Sequence, residues 1–121
     1  MGWRNLPLFL KVGGSMTFTV NGNEWQLEFV KPSSKELIRS DGSVTIGMTD
    51  NFQKKVFINN RLSDYMTDKC LAHELCHVYA FEFDYFMPLD VEETVADFFS
   101  LFGRSMVYML DDLIQVLRRV A

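Results

Sequence analysis

The sequence predicts an α+β fold: a small, mainly antiparallel sheet of about four strands, followed by three helices. Two observations carry this. Residues 17–58 hold short polar–apolar alternations broken by Gly, Pro, Asn and Ser, whereas from residue 63 onward the apolar spacing becomes helical. The strand patterns come first along the chain and the helical patterns after them. At 121 residues, with 48% hydrophobic residues and eleven phenylalanines, the chain suits one compact domain with a single core.

That domain is expected over residues 16–121. Residues 1–15 read as an N-terminal extension, either loosely ordered or a short amphipathic segment over a sheet edge. They carry an apolar patch with one arginine and then Lys11-Val12-Gly13-Gly14-Ser15, with no small-residue cleavage site of a secretion signal.

Thr17-Phe18-Thr19-Val20 and Trp25-Gln26-Leu27-Glu28-Phe29-Val30 predict a hairpin across Asn21-Gly22-Asn23. In the second strand Trp25, Leu27 and Phe29 share one face. Lys31-Pro32-Ser33-Ser34 breaks it, and Ser40-Asp41-Gly42 marks a polar loop. Residues 44–48 and 55–58 predict a second hairpin. A helix follows over about 63–83, with Leu71, Leu75 and Val78 as an apolar stripe. Tyr79, Phe81 and Phe83 spread apolar character around it, which predicts burial. Pro88 and Asp90 predict a second helix over about 91–102, with Asp90 as N-cap and Gly103 as its stop. A third helix is expected over about 105–120. Its face of Met106, Leu110, Leu113, Val116, Leu117 and Val120 is expected to be core.

The first helix carries the chemistry. His73-Glu74-Leu75-Cys76-His77 contains both histidines of the chain. Histidines at i and i+4 lie one turn apart on one helix face, where both can reach one metal ion. Glu74 sits on the adjoining edge, as the general base does in the HExxH signature of zinc peptidases. Two histidines placed at random would fall four apart in roughly one case in sixty, before the glutamate is required.

A catalytic zinc keeps three protein ligands and one open position. With no third histidine, the third ligand must be a carboxylate or thiolate. Glu93 and Asp97 share a face at i, i+4 of the second helix, where a facing cation would relieve their repulsion. Glu93 is therefore assigned as third ligand, and Asp97 as partner of the non-metal nitrogen of a ligating histidine. Asp90-x-x-Glu93 also fits a capping box, and acids in a first turn suit the helix dipole without any metal. Glu92 is the main rival, since a one-residue error in helix phase would exchange it with Glu93. Cys70 and Cys76 are weaker candidates, better suited to packing. Six residues of helix separate them by about 9 Å, beyond disulfide reach.

The HELCH motif followed by Glu93-Thr94-Val95-Ala96-Asp97 resembles the gluzincin pattern, HExxH then ExxxD. At this size the chain resembles the small phage- and mobile-element-encoded zinc metallopeptidases related to the ImmA/IrrE group. Gly47-Met48-Thr49-Asp50, Lys55-Val56-Phe57-Ile58-Asn59 and Leu62-Ser63 look like the strand pair that precedes the motif helix in such proteins. The likeness continues through Asp97-Phe98 and Gly103. It covers roughly residues 16–118 and is most specific over 70–97. Thr94-Val95 stands where that group usually carries Ala-Asn. The resemblance implies a minimal zincin core with the metal between helices one and two. It also implies a sheet edge near strand 55–59 that pairs with extended substrate.

The expected function is a zinc-dependent peptidase in which Glu74 takes a proton from a metal-activated water. Zn2+ is the expected cofactor, and a protein or peptide the expected substrate. Oxyanion help would fall to Tyr79, Tyr85, Tyr108 or Arg104, among which the sequence does not choose. The alternative is a non-catalytic zinc-containing phage or host accessory module that grips a protein partner. Net charge −4 and pI near 5.1 argue against nucleic acid. No apolar run approaches the roughly 20 residues of a membrane span. Two unpaired cysteines fit a reducing, cytoplasmic setting.

Overall fold

The computed structural model describes residues 14–120, so residues 1–13 of the expected extension lie outside it. Strands β1 (Ser15–Val20) and β2 (Asn23–Val30) form the first hairpin. Asn21 and Gly22 both take positive φ, 52° and 78°, the turn that matches strand twist in a two-residue connection. Strands β3 (Gly47–Asp50) and β4 (Lys55–Asn59) form the second. The third strand lies about three residues later than expected, because the turn tightens to Asn51–Lys54. Val44 is 66% exposed and only bridges Ile38.

The sheet order is β1-β2-β4-β3. The sheet is mixed, not mainly antiparallel: β2 and β4 run parallel at its centre, from Gln26 opposite Lys55 to Val30 opposite Asn59. Residues 31–46 carry the chain across before β3, a connection long enough for a parallel join. Local turn signals specify each hairpin but not the pairing between hairpins. β4 is consequently an inner strand, and the free edge beside it belongs to β3.

One face of the sheet makes the core. Trp25, Leu27 and Phe29 pack with Val56 and Ile58 beneath helix α1 (Asp64–Glu82), which adds Cys70 and Val78. Ser63 caps α1 by accepting the Met66 amide at 3.2 Å. The helix ends with Asp84 in the left-handed region, φ 51°, and the Tyr85 amide bonds back to the Ala80 carbonyl at 3.0 Å. The expected burial of α1 on most faces does not hold at this end: Tyr79, Phe81 and Phe83 face outward. The buried side narrows to Cys70, Glu74, His77, Val78, Ala80 and Glu82.

Among the described residues there are two long helices, not three. Helix α2 runs unbroken from Leu89 to Val120. It begins earlier than expected: the Pro88 carbonyl accepts the Glu92 amide at 2.9 Å, so Asp90 lies inside the first turn and is not the N-cap. Gly103 is not a stop. It stays helical, and the Phe99 ring occupies the space a Cβ would need, 2.3 Å from its nearest atom. An interior glycine costs only about 1 kcal/mol, too little to break a helix with good formers on both sides. The stripe expected as core in a third helix is open: Met106, Leu110, Leu113, Val116 and Leu117 are exposed. No helix among the described residues is long and apolar enough to cross a membrane.

Candidate metal centre

Helices α1 and α2 form an antiparallel pair joined by residues 83–88. This arrangement sets the second half of α1 against the first turns of α2. His73 and His77 project from one face of α1, one turn apart, and their Nε2 atoms come within 3.3 Å of each other. The Glu93 carboxylate reaches both, with Oε2 3.2 Å from His73 Nε2 and Oε1 2.8 Å from His77 Nε2. These three donor groups all lie within 4.8 Å of one another and could hold a metal ion.

Each imidazole is also gripped at its other nitrogen. His73 Nδ1 lies 3.0 Å from Asp97 Oδ1, and His77 Nδ1 lies 2.5 Å from Glu92 Oε2. A carboxylate behind a histidine fixes its orientation and tautomer and directs Nε2 toward the shared point. Asp97, expected behind one of the two histidines, lies behind His73. The neighbouring Glu92 does the same for His77, a role the sequence reading missed. Helix phase explains both: Glu93 sits between the two histidines, Asp97 one turn on, and Glu92 about 100° round the helix on the side of His77. The Glu93 carboxylate faces the histidines and not Asp90, so the competing capping box is not made, and Thr94 Oγ1 donates to the Asp90 carbonyl at 2.9 Å.

Glu74 is buried and turns toward strand β3, where Thr49 Oγ1 donates to its Oε1 at 2.7 Å. Gly47 makes the close approach of β3 to α1 feasible. A Cβ there would lie 2.5 Å from Cys70 Sγ and 3.1 Å from Glu74 Oε2. Gly47 and Thr49 belong to the site through tertiary contact alone, which no local pattern announces.

The histidines, Glu74, Glu92, Glu93 and Asp97 line one cavity of about 580 Å³, with Arg39 and Lys69 as its cationic groups. Tyr79, Tyr85, Tyr108 and Arg104, the expected sources of oxyanion help, are not among its lining residues. Arg104 instead pairs with Asp68 at 3.5 Å. Cys70 and Cys76 also remain outside the triad. Burial, with the Glu74 charge adding to it, pushes the Cys70 thiol up to about 12, and burial does the same to Cys76, to about 11. At neutral pH both are thiols, suited to packing and not to nucleophilic work. No family model, curated protein or solved structure matches this chain.

Proposed function

We propose that this chain is a zinc-dependent peptidase, with His73, His77 and Glu93 as ligands and Glu74 as general base. The observation that carries the reading is the convergence of two imidazole Nε2 atoms and one carboxylate, each imidazole backed by its own acid. Two nitrogens and one carboxylate are a donor set that catalytic zinc uses. The fit is also metric. Tetrahedral bonds of roughly 2.0–2.1 Å place ligand atoms about 3.3 Å apart. The two Nε2 atoms lie 3.3 Å apart, and Glu93 approaches them through different oxygens, Oε2 at 3.2 Å from His73 and Oε1 at 2.8 Å from His77. The likeness of HELCH and the downstream Glu93 and Asp97 to the gluzincin pattern supports the same chemistry.

Zinc, when bound, would act as a Lewis acid toward a peptide carbonyl and lower the pKa of water toward about 7. The protein's own residues supply the rest. Glu93 brings negative charge to the ligand set. Asp97 and Glu92 hold the imidazoles with Nε2 inward. Glu74 accepts the proton of the attacking water and returns it to the leaving amine, with Thr49 fixing one carboxylate oxygen. The open edge of β3 lies along the cavity through Gly47, Met48 and Thr49, where an extended peptide would add as a further strand.

The test separates an enzyme from a metal-holding binding module. Protein purified without an affinity tag should carry about one zinc per chain, and His73→Ala or His77→Ala should lose it. Glu74→Gln keeps an oxygen for Thr49 and leaves the ligands intact. It should retain zinc while abolishing hydrolysis of a peptide library. Full zinc retention by both histidine variants would remove the metal assignment. A zinc-loaded wild type that cleaves nothing Glu74→Gln spares would leave the binding module.

A further inference from the structure

We propose that the open stripe of α2 pairs with the same stripe of a second copy of this chain. Helix α2 leaves its partner helix midway. Arg104 reaches Asp68, in the second turn of α1, so the residues of α2 beyond about 108 run past the start of that helix. Over this length α2 remains strongly amphipathic. Met106, Met109, Leu110, Leu113, Val116 and Leu117 are each more than half exposed. Solvated helix faces do not carry so many large apolar groups in one stripe, and a patch of this size marks an interaction surface.

The spacing indicates what covers it. Val95, Phe99, Phe102, Met106, Met109, Leu113 and Val116 follow one another in alternating steps of four and three. That is an unbroken heptad seam, the pattern by which a helix packs along another helix. Leu110 and Leu117 widen it on one side. At roughly 100 Å² of exposed surface each, these nine side chains offer about 900 Å², against the ~800 Å² per partner of a stable interface. The charges favour a protein over a lipid surface. Membrane-surface helices line the polar face with Lys and Arg. Here Asp111 and Asp112 precede Arg118 and Arg119 on a chain of net charge −4. An anionic membrane repels the first pair.

The proposal is independent of the metal. Sedimentation equilibrium of the full chain at tens of micromolar should give twice the 14.1 kDa chain mass. Met109→Lys with Leu113→Lys should raise the dimer dissociation constant on the order of 100-fold or more. Both positions are solvent-facing and distant from the sheet, so the far-UV circular dichroism should keep its helical shape. Met106→Cys, at the middle of the seam, should yield a disulfide-linked dimer under mild oxidation, and Asp111→Cys, on the far side of the helix, should not. A monomeric wild type would overturn the proposal, as would a lysine double variant that stays dimeric. Flotation of wild-type monomer with phosphatidylglycerol vesicles would assign the stripe to a membrane instead.

Discussion

Both imidazoles of the centre are held at both nitrogens, and the acids that hold them differ in exposure. The Glu92 side chain is 13% exposed and that of Asp97 69%. A carboxylate with little access to water orients its histidine more firmly, so the two should not weigh equally. Glu93→Gln should weaken zinc binding most, since it removes a ligand charge. Glu92→Gln should cost about 100-fold and Asp97→Asn nearer 10-fold, the span usual for such outer partners. Competition against a zinc chelator measures all three, and an Asp97 effect larger than that of Glu92 would reverse the argument. A further acid contributes to the acid stability of the domain. Glu82 accepts from Asn23 Nδ2 at 2.5 Å, Trp25 Nε1 at 2.7 Å and Lys54 Nζ at 3.1 Å. These partners, Asn23 foremost, hold its carboxyl below the ordinary glutamate value. A depressed folded-state pKa stabilises the fold above the unfolded value and loses that contribution as pH falls through the folded one. Thermal melts of Glu82→Gln should therefore lie below wild type at pH 7 and converge with it as the pH is lowered beneath about 4.5. A constant gap across that range would show that the charge is not the cause. The motif histidines were legible because four-residue spacing on a helix is geometry in itself. Glu82, Thr49 and Gly47 were not, because each meets its partners across the boundary between sheet and helix, far away in the sequence.

At the scale of elements, two backbone positions are open to direct test. Asp84 ends α1 in a left-handed conformation that glycine adopts without steric penalty. Asp84→Gly should raise stability by about 0.5–1 kcal/mol in urea titrations; a loss would mean that its side chain does more there than its backbone. Gly47 is the opposite case. Gly47→Ala forces a methyl group to within 2.5 Å of Cys70 Sγ. Overpacking of this kind costs about 1–3 kcal/mol. Adding Cys70→Ala removes the clashing atom and should recover most of the loss, so a double variant no better than Gly47→Ala would place the strain elsewhere. Element identity was readable where turn chemistry was strong: Asn21-Gly22 falls where the sequence put it, and α1 begins within a residue of the expected start. The joints between elements were harder. Gly103 has the composition of a stop, but a helical glycine receives the Phe99 ring, and only the packed structure distinguishes the two uses.

For the molecule as a whole, the sequence conveyed the α+β class and the two-helix site, yet misjudged the core. The face from Met106 to Leu117 has the pattern of a buried helix, and periodicity does not say whether the surface that buries it lies in the same chain. A chain ending at Arg104 should therefore keep a cooperative thermal transition and its zinc, while losing self-association. Unfolding on that truncation would restore the stripe to the core of the single domain. The parallel β2–β4 join was equally invisible, because it is a relation between hairpins and each hairpin is locally complete.

That last feature governs the order in which the molecule is made. The described residues form three hairpins in succession: β1–β2, β3–β4 and α1–α2. Each closes over a short connection, whereas the β2–β4 ladder joins Gln26 to Lys55. Contacts close in sequence form fast, and distant ones set the pace of folding. Refolding should then be limited by the meeting of the two strand hairpins beneath α1. Ile58→Val, which thins that seam, should slow it, and Asp84→Gly, which acts within the helical hairpin, should not. The histidines and their acids would meet first, so the centre assembles ahead of the sheet on which it finally rests.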